Sequence, residues 1–222
     1  MIVIGIIILI IILKYYEFSK SNYKSLSGNK FIKTMLNKGY YGEYKVFLDL
    51  EKIDVDKYLI PNIYLEKKNN ETTEIDLIMI YKGGILVFEI KNYNGWIYGN
   101  EKNMYWNQTF NKNSKYKFYN PIWQNQQHIN EVKNYLNITN ESLIKNIVVF
   151  TNKAELKKIE IHTDAIVINR RMIKKTIINL AAETGAIIHT SKVTEYYNRL
   201  YNKSLVSNEV KKNHIENVIK YK

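Results

Sequence analysis

The 222-residue chain is long enough to bury one full-sized core and too short for two ordinary domains. With 33 Lys and Arg against 21 Asp and Glu it carries a formal net charge of +12, which favours polyanionic partners such as nucleic acid or an anionic membrane surface. It has no cysteine, so disulfides, zinc ribbons and thiolate nucleophiles are excluded, and any metal must be held by oxygen or imidazole ligands.

Met1 to Leu13 runs MIVIGIIILIIIL, an uncharged stretch that as a helix spans about 20 Å of a roughly 30 Å hydrocarbon core. Lys14 can snorkel, and Tyr15, Tyr16 and Phe18 supply interfacial aromatics. The effective span then reaches about 27 Å, and residues 1–18 are expected as a membrane anchor. A cleaved secretory signal fits less well, because no basic residue precedes the run and no small-residue cleavage site follows it. The other alternative is a buried core strand or helix of the folded domain. Lys14, Lys20, Lys24, Lys30 and Lys33 all follow the segment, so positive-inside asymmetry predicts a single pass through the cell membrane with the rest of the chain cytoplasmic.

Residues 19–38 are polar and Lys-rich and suit a basic tether or a loosely packed helix. A core is expected over 39–137, and residues 138–222 form a C-terminal α/β extension completing the same domain. Tyr44, Phe47, Leu48 and Leu50 recur at helical spacing, placing a helix over Gly42 to Lys52 with Glu43 in its opening turn. Tyr58 to Leu65 is an edge or bulged strand because Pro61 interrupts it. Glu74 to Tyr81 and Ile85 to Asn92 are apolar, β-branched runs joined by Gly83-Gly84, a hairpin signal. Gly95 to Tyr98 continues that sheet, and a polar loop carrying Trp106 runs on through Asn113. Asn120 then caps a helix whose first residue is Pro121 and which continues to Leu136. Lys145 to Thr151 suits a central strand and Thr163 to Ile168 another, with helices over Arg171 to Glu183, Lys192 to Asn202 and near the C-terminus. Strands alternating with helices around one hairpin make a mixed α/β domain.

Chemistry concentrates on the hairpin. Glu89 and Lys91 are two apart and project from one face of their strand, while Phe88 and Ile90 point to the other. A two-residue Gly83-Gly84 turn sets Asp76 opposite Lys91 on that same face; a three-residue turn would separate the trio. Two carboxylates and a lysine so gathered suit a divalent cation, Mg²⁺ or Mn²⁺, held by Asp76 and Glu89, with Lys91 orienting or deprotonating the attacking water or stabilising charge on phosphorus. The competing reading is a cross-strand Asp76–Lys91 ion pair with Glu89 solvated. Gln124 and His128, four apart, share a face of the helix after Asn120. His128 is a secondary metal-ligand candidate against an ordinary surface histidine. Trp106 and Trp123 suit packing better than base stacking. Arg170-Arg171 with Lys174-Lys175, and Lys211-Lys212 with His214, are basic clusters that suit solvated faces better than phosphate tracking.

Gly42-Glu43 at a helix start, Glu74-Ile75-Asp76 on a strand, Gly84 before Phe88-Glu89-Ile90-Lys91-Asn92, then Gly95, Trp106, Asn120-Pro121-Ile122-Trp123-Gln124 and His128 together resemble the nuclease-related domain, NERD, of the PD-(D/E)XK nuclease superfamily. The resemblance runs from about Gly39 to Leu136. It implies a restriction-endonuclease-like mixed β-sheet flanked by helices. It also implies Glu43 as the acid of the first helix, Asp76 and Glu89 as metal-binding carboxylates, Lys91 as catalytic lysine and Gln124 near the scissile phosphate. Ile75 stands where the superfamily motif has proline. The function expected is a membrane-anchored, Mg²⁺- or Mn²⁺-dependent nuclease acting on DNA, with RNA as the second substrate class. Two alternatives remain open: a non-catalytic nucleic-acid-binding module, or a basic membrane-surface interaction protein.

Overall fold

The computed structural model describes residues 2–67, 71–111, 114–206, 210 and 214. Four helices come first: α1 (Ile2–Lys20), α2 (Tyr23–Ser27), α3 (Phe31–Leu36) and α4 (Lys38–Glu51). They are followed by β1 (Lys57–Glu66), β2 (Thr72–Tyr81), β3 (Gly84–Lys91), β4 (Gly95–Asn100), β5 (Tyr105–Asn111), β6 (Ser114–Tyr119) and helix α5 (Pro121–Leu136). The chain then continues through β7 (Ile144–Phe150), β8 (Ala154–Glu160), β9 (Ile166–Asn169), α6 (Ile173–Thr184) and α7 (Thr190–Tyr201). The helix expected near the C-terminus lies outside the described residues, Val210 and His214 apart.

Two mixed sheets are present, one ordered β1-β2-β3-β7-β9 and the other β6-β5-β4-β8. In the first, β1, β2 and β3 run antiparallel, and β7 lies parallel to β3. A parallel partner requires a long crossover, here built from the β4–β6 strands and α5. The β3 run ILVFEI is buried on both faces because helices cover each. One face meets α4 and α6 through Phe47, Leu50, Ile173 and Ile177; the other meets α5 and α7 through Ile129, Val132, Val193 and Leu200. α5 starts where its sequence predicts. The Asn120 side chain accepts the N–H groups of Ile122 and Trp123, Pro121 fills the first turn, and left-handed Asn137 closes the helix.

Several local expectations differ in detail. The β2–β3 register pairs Tyr81 with Gly84, so the two turn residues are Lys82 and Gly83. Gly95 to Tyr98 lies in the second sheet, not the first, and the segment expected as a polar loop is the β5–β6 hairpin. Its exposed face carries Asn, Lys and Thr, which masks the period-two pattern, while Trp106 is fully buried on the other face, parallel to Phe150. β1 turns over midway: Ile60 and Ile63, three apart, join the same core cluster, with Asn62 between them at φ +52°.

The polar segment after the apolar run is packed. Tyr23 and Thr34 are buried, and Phe18, Tyr23, Phe31, Tyr44 and Phe47 interlock by ring contacts with centroids 5.2–6.3 Å apart. Each such pair adds about 0.5–1.5 kcal/mol beyond area burial. Above this root α1 stands clear of the domain, with Ile2 81% and Leu13 58% exposed. It is long and apolar enough to cross a membrane.

α4 approaches the end of β3 closely at Gly42, where a Cβ would lie 2.8 Å from the Cβ of Asn92. Gly42→Ala is therefore expected to cost about 1–3 kcal/mol by overpacking. Urea denaturation checks this, and an unchanged midpoint would show that α4 is free to shift.

Candidate active site

β3 carries two charged residues at its apolar end, and both turn towards α5. Glu89 is only 2% exposed. Its Oε1 lies 2.6 Å from Lys91 Nζ, and Lys91 Nζ also donates to Gln124 Oε1 at 2.9 Å. Glu89 Oε2 faces His128 Nε2 at 3.3 Å, but without the alignment of a hydrogen bond, and both atoms lack any other partner. His128 Nδ1 meets Thr73 Oγ1 at 2.9 Å. The histidine is thus buried against the acid, not set on a polar surface. The i, i+4 spacing of Gln124 and His128 brings one to each charge of the ion pair.

The β2–β3 ladder ends at the Leu77–Phe88 pair, in a register two residues away from the one that would set Asp76 opposite Lys91. Ile75 and Ile78, three apart, join the same core cluster, so strict alternation breaks around Asp76. Asp76 Oδ2 accepts the Ile90 N–H at 2.7 Å. From the other side α4 contributes Glu43, whose Oε2 accepts from Asn62 Nδ2 at 2.7 Å. The amide of Asn62 also reaches Glu74 Oε1 at 3.4 Å, and Tyr64 donates to the same oxygen at 2.6 Å.

The protonation of this cluster follows from burial and from one shared cation. Burial pushes the Glu43 carboxyl up to about 8, reinforced by Glu74 and Glu89 and opposed by the Asn62 hydrogen bond. Burial also raises Asp76 well above the carboxylate range, with Glu89 and Glu43 adding repulsion that the Ile90 N–H and Lys91 do not cancel. Burial acts in the same direction on Glu89, but there Lys91 and His128 prevail and the carboxyl falls below its ordinary value. Lys91 is held above its ordinary value, Glu89 outweighing the desolvation of the ammonium. Glu89 and Lys91 therefore form an ionised pair, while Asp76 and Glu43 retain protons more readily than exposed acids do.

Among the described residues no three His, Asp or Glu side chains already converge as metal ligands. The donor set nevertheless fits a hard divalent cation. Asp76, Glu89 and Glu43 are oxygen donors, the first and third raised by burial and then by repulsion from neighbouring carboxylates, and a buried Glu89 oxygen lacks an aligned donor.

The five residues predicted from sequence thus lie in one neighbourhood: Glu89, Lys91 and Gln124 in direct contact, Asp76 beside them through Ile90, and Glu43 reached through charge. Asn62 was missed. Pro61 signals irregularity in β1, but the carboxylates that Asn62 bridges lie on other elements. The Arg170 of the basic cluster is committed to Asp49, with Nη2 to Oδ1 at 2.8 Å, whereas Arg171, Lys174 and Lys175 are exposed. Lys211 and Lys212 lie outside the described residues.

An uncharacterized protein of Bacillus anthracis is 42% identical over 98 residues, covering 43% of this chain and 45% of that relative; the chain thus matches less than half of the relative's length. A solved structure of a protein of unknown function aligns over 81% of this chain and 96% of its own, at 11% identity and a TM-score of 0.36. Residues 38–151, which contain the whole cluster from Glu43 to Gln124, match the family model of the nuclease-related domain. The chain belongs to the nuclease-related domain (NERD) family.

Proposed function

We propose that the protein is a membrane-anchored, metal-dependent nuclease that hydrolyses phosphodiester bonds in DNA, with RNA as a second substrate class. The observation that carries this reading is the ionised Glu89–Lys91 pair, almost wholly withdrawn from water at Glu89, with two further carboxylates of raised pKa beside it. Charges are expensive to bury, so such a gathering points to chemistry more readily than to stability.

Asp76 and Glu89 would hold Mg²⁺ or Mn²⁺, which when bound supplies Lewis acidity towards a phosphoryl oxygen and a water of lowered pKa. The contribution of Lys91 follows from its charge state. Without metal its pKa is raised by Glu89, so as an ammonium it would orient the phosphate and stabilise negative charge on the reacting oxygens. Gln124 fixes the direction of that ammonium through Oε1. Glu43, held by Asn62, adds an acid on the α4 side. The helix Ile2–Lys20 would insert in the bilayer, and the lysines after it favour a cytoplasmic catalytic domain.

The full-length protein in detergent with Mg²⁺ or Mn²⁺ is expected to cleave nucleic acid. Glu89→Gln and Lys91→Ala should each lower the rate by about 100-fold or more, measured on labelled oligonucleotides; full activity in both variants would remove the assigned site. A second expectation concerns pH. The folded Glu43 and Asp76 carboxyls have raised pKa values, so their contribution to stability is present below the unfolded carboxylate range and is lost as pH rises, for Glu43 through about 8. The metal-free protein should therefore melt at lower temperature as pH rises from about 5 to about 8, and Glu43→Gln should flatten that slope. A third concerns location: after cell lysis the protein should sediment with membranes and be released by detergent but not by high salt, whereas release by salt would exclude the anchor.

A further inference from the structure

One face of the β5–β6 hairpin carries four aromatic rings, Trp106, Phe110, Tyr116 and Phe118, with Gln108 among them. Trp106 pairs with Phe118 near its base, and both pack on Phe150. Nearer the tip Gln108 pairs with Tyr116, and the ring of Phe110 stands edge-on to Tyr116 at 5.8 Å. Here the core has ended, and Phe110 and Tyr116 are 45% and 57% exposed. Period-two alternation has carried the apolar face past the edge of the core and over a cleft of about 600 Å³. Ile90, Lys91 and Asn92 line the same cleft. One cleft is thus lined both by Lys91 of the candidate active site and by two uncovered rings.

The hairpin is built to stand there. Gly95 has φ +75°, and a Cβ at this position would run into the carbonyl oxygen of Thr109, so only glycine lets β4 and the hairpin approach this closely. Gln108 Nε2 donates to Asn94 O at 2.8 Å, fixing the hairpin against the loop that follows Lys91. Lys38 adds an exposed cation at the rim.

We propose that this cleft binds unpaired nucleobases, stacked on Phe110 and Tyr116, while the adjoining phosphate lies at Lys91. The substrate class is therefore single-stranded nucleic acid, or a duplex with an unpaired stretch at the cut. The occupant must offer flat π-faces and negative charge together, since the rings lie in one cleft with two lysines. A paired duplex keeps its base faces stacked on one another and has none to offer. The assignment rests on the nuclease reading only in placing the scissile phosphate at Lys91.

Anisotropy of a labelled single-stranded oligonucleotide, and of its blunt duplex, with full-length protein in detergent and EDTA tests this without cleavage. Phe110→Ala combined with Tyr116→Ala is expected to weaken single-strand binding by about tenfold or more while leaving duplex binding nearly unchanged. Tyr116→Phe, which keeps the π-face, should bind as the parent does. Equal losses on both substrates, or no loss on the single strand, would overturn the proposal. Cleavage on adding Mg²⁺ separates the two readings. Ring-sensitive single-strand binding without cleavage supports the stacking cleft and removes the nuclease assignment, whereas cleavage with ring-insensitive binding does the reverse.

Discussion

A carboxylate and an ammonium placed two residues apart at the end of an otherwise apolar strand are the constraint around which this domain is arranged. Glu89 is almost wholly buried, and an isolated charge there would cost several kcal/mol in lost hydration. Lys91 neutralises it, Gln124 Oε1 accepts a hydrogen bond from the ammonium, and His128 lies against the second carboxylate oxygen. All of this depends on α5 starting at one place. Asn120 and Pro121 set that start, and Asn125, donating to Val87 O and Asn146 Oδ1 at 2.8 Å each, pins the helix across β3 and β7. An N-cap is worth about 1 kcal/mol to a helix; here it also determines which α5 side chains meet the ion pair.

The opposite side of the site is tied to the apolar N-terminal helix. Phe18, the last buried residue of α1, sits among Tyr23, Phe31 and Tyr44, and Glu17 pairs with Lys45 and Lys52 on α4 and just beyond it. Asn29, which follows α2, donates to Asn62, and Asn62 in turn holds Glu43. The segment between the apolar helix and the catalytic-type acid is therefore a chain of packed rings and amide hydrogen bonds. If α1 lies in a bilayer, the orientation of the cleft to the membrane is set by this packing and not by a flexible linker.

Periodicity and end signals made much of the architecture legible. The β2–β3 hairpin, α5 and β7 each follow from a local pattern: β-branched runs around a Gly pair, an Asn-Pro cap, a short apolar run between polar residues. The apolar stripe found α4 too, but the helix begins at Lys38, capped by Asn37, so Glu43 lies in its second turn and not its opening one. The second sheet did not show because its strands carry Asn, Lys, Thr and Gln on a wet face, leaving too few apolar positions to reveal alternation. The burial of Tyr23 and Thr34 was equally hidden. Lone apolar or small residues among lysines carry no period, and their partners, Tyr44 and Phe47, lie on another helix.

For the site, the sequence by itself determined that Glu89 and Lys91 share a strand face and that Gln124 and His128 share a helix face, because strand and helix repeats fix such relations locally. Only the tertiary structure decided which of these meet. It moved the turn to Lys82 and Gly83, set the Asp76 carboxylate on the Ile90 N–H, buried His128, and brought in Asn62 between Glu43 and Glu74. Register, burial and the sharing of one cation among several carboxylates arise from contacts between residues far apart in the chain, where a local repeat carries no information.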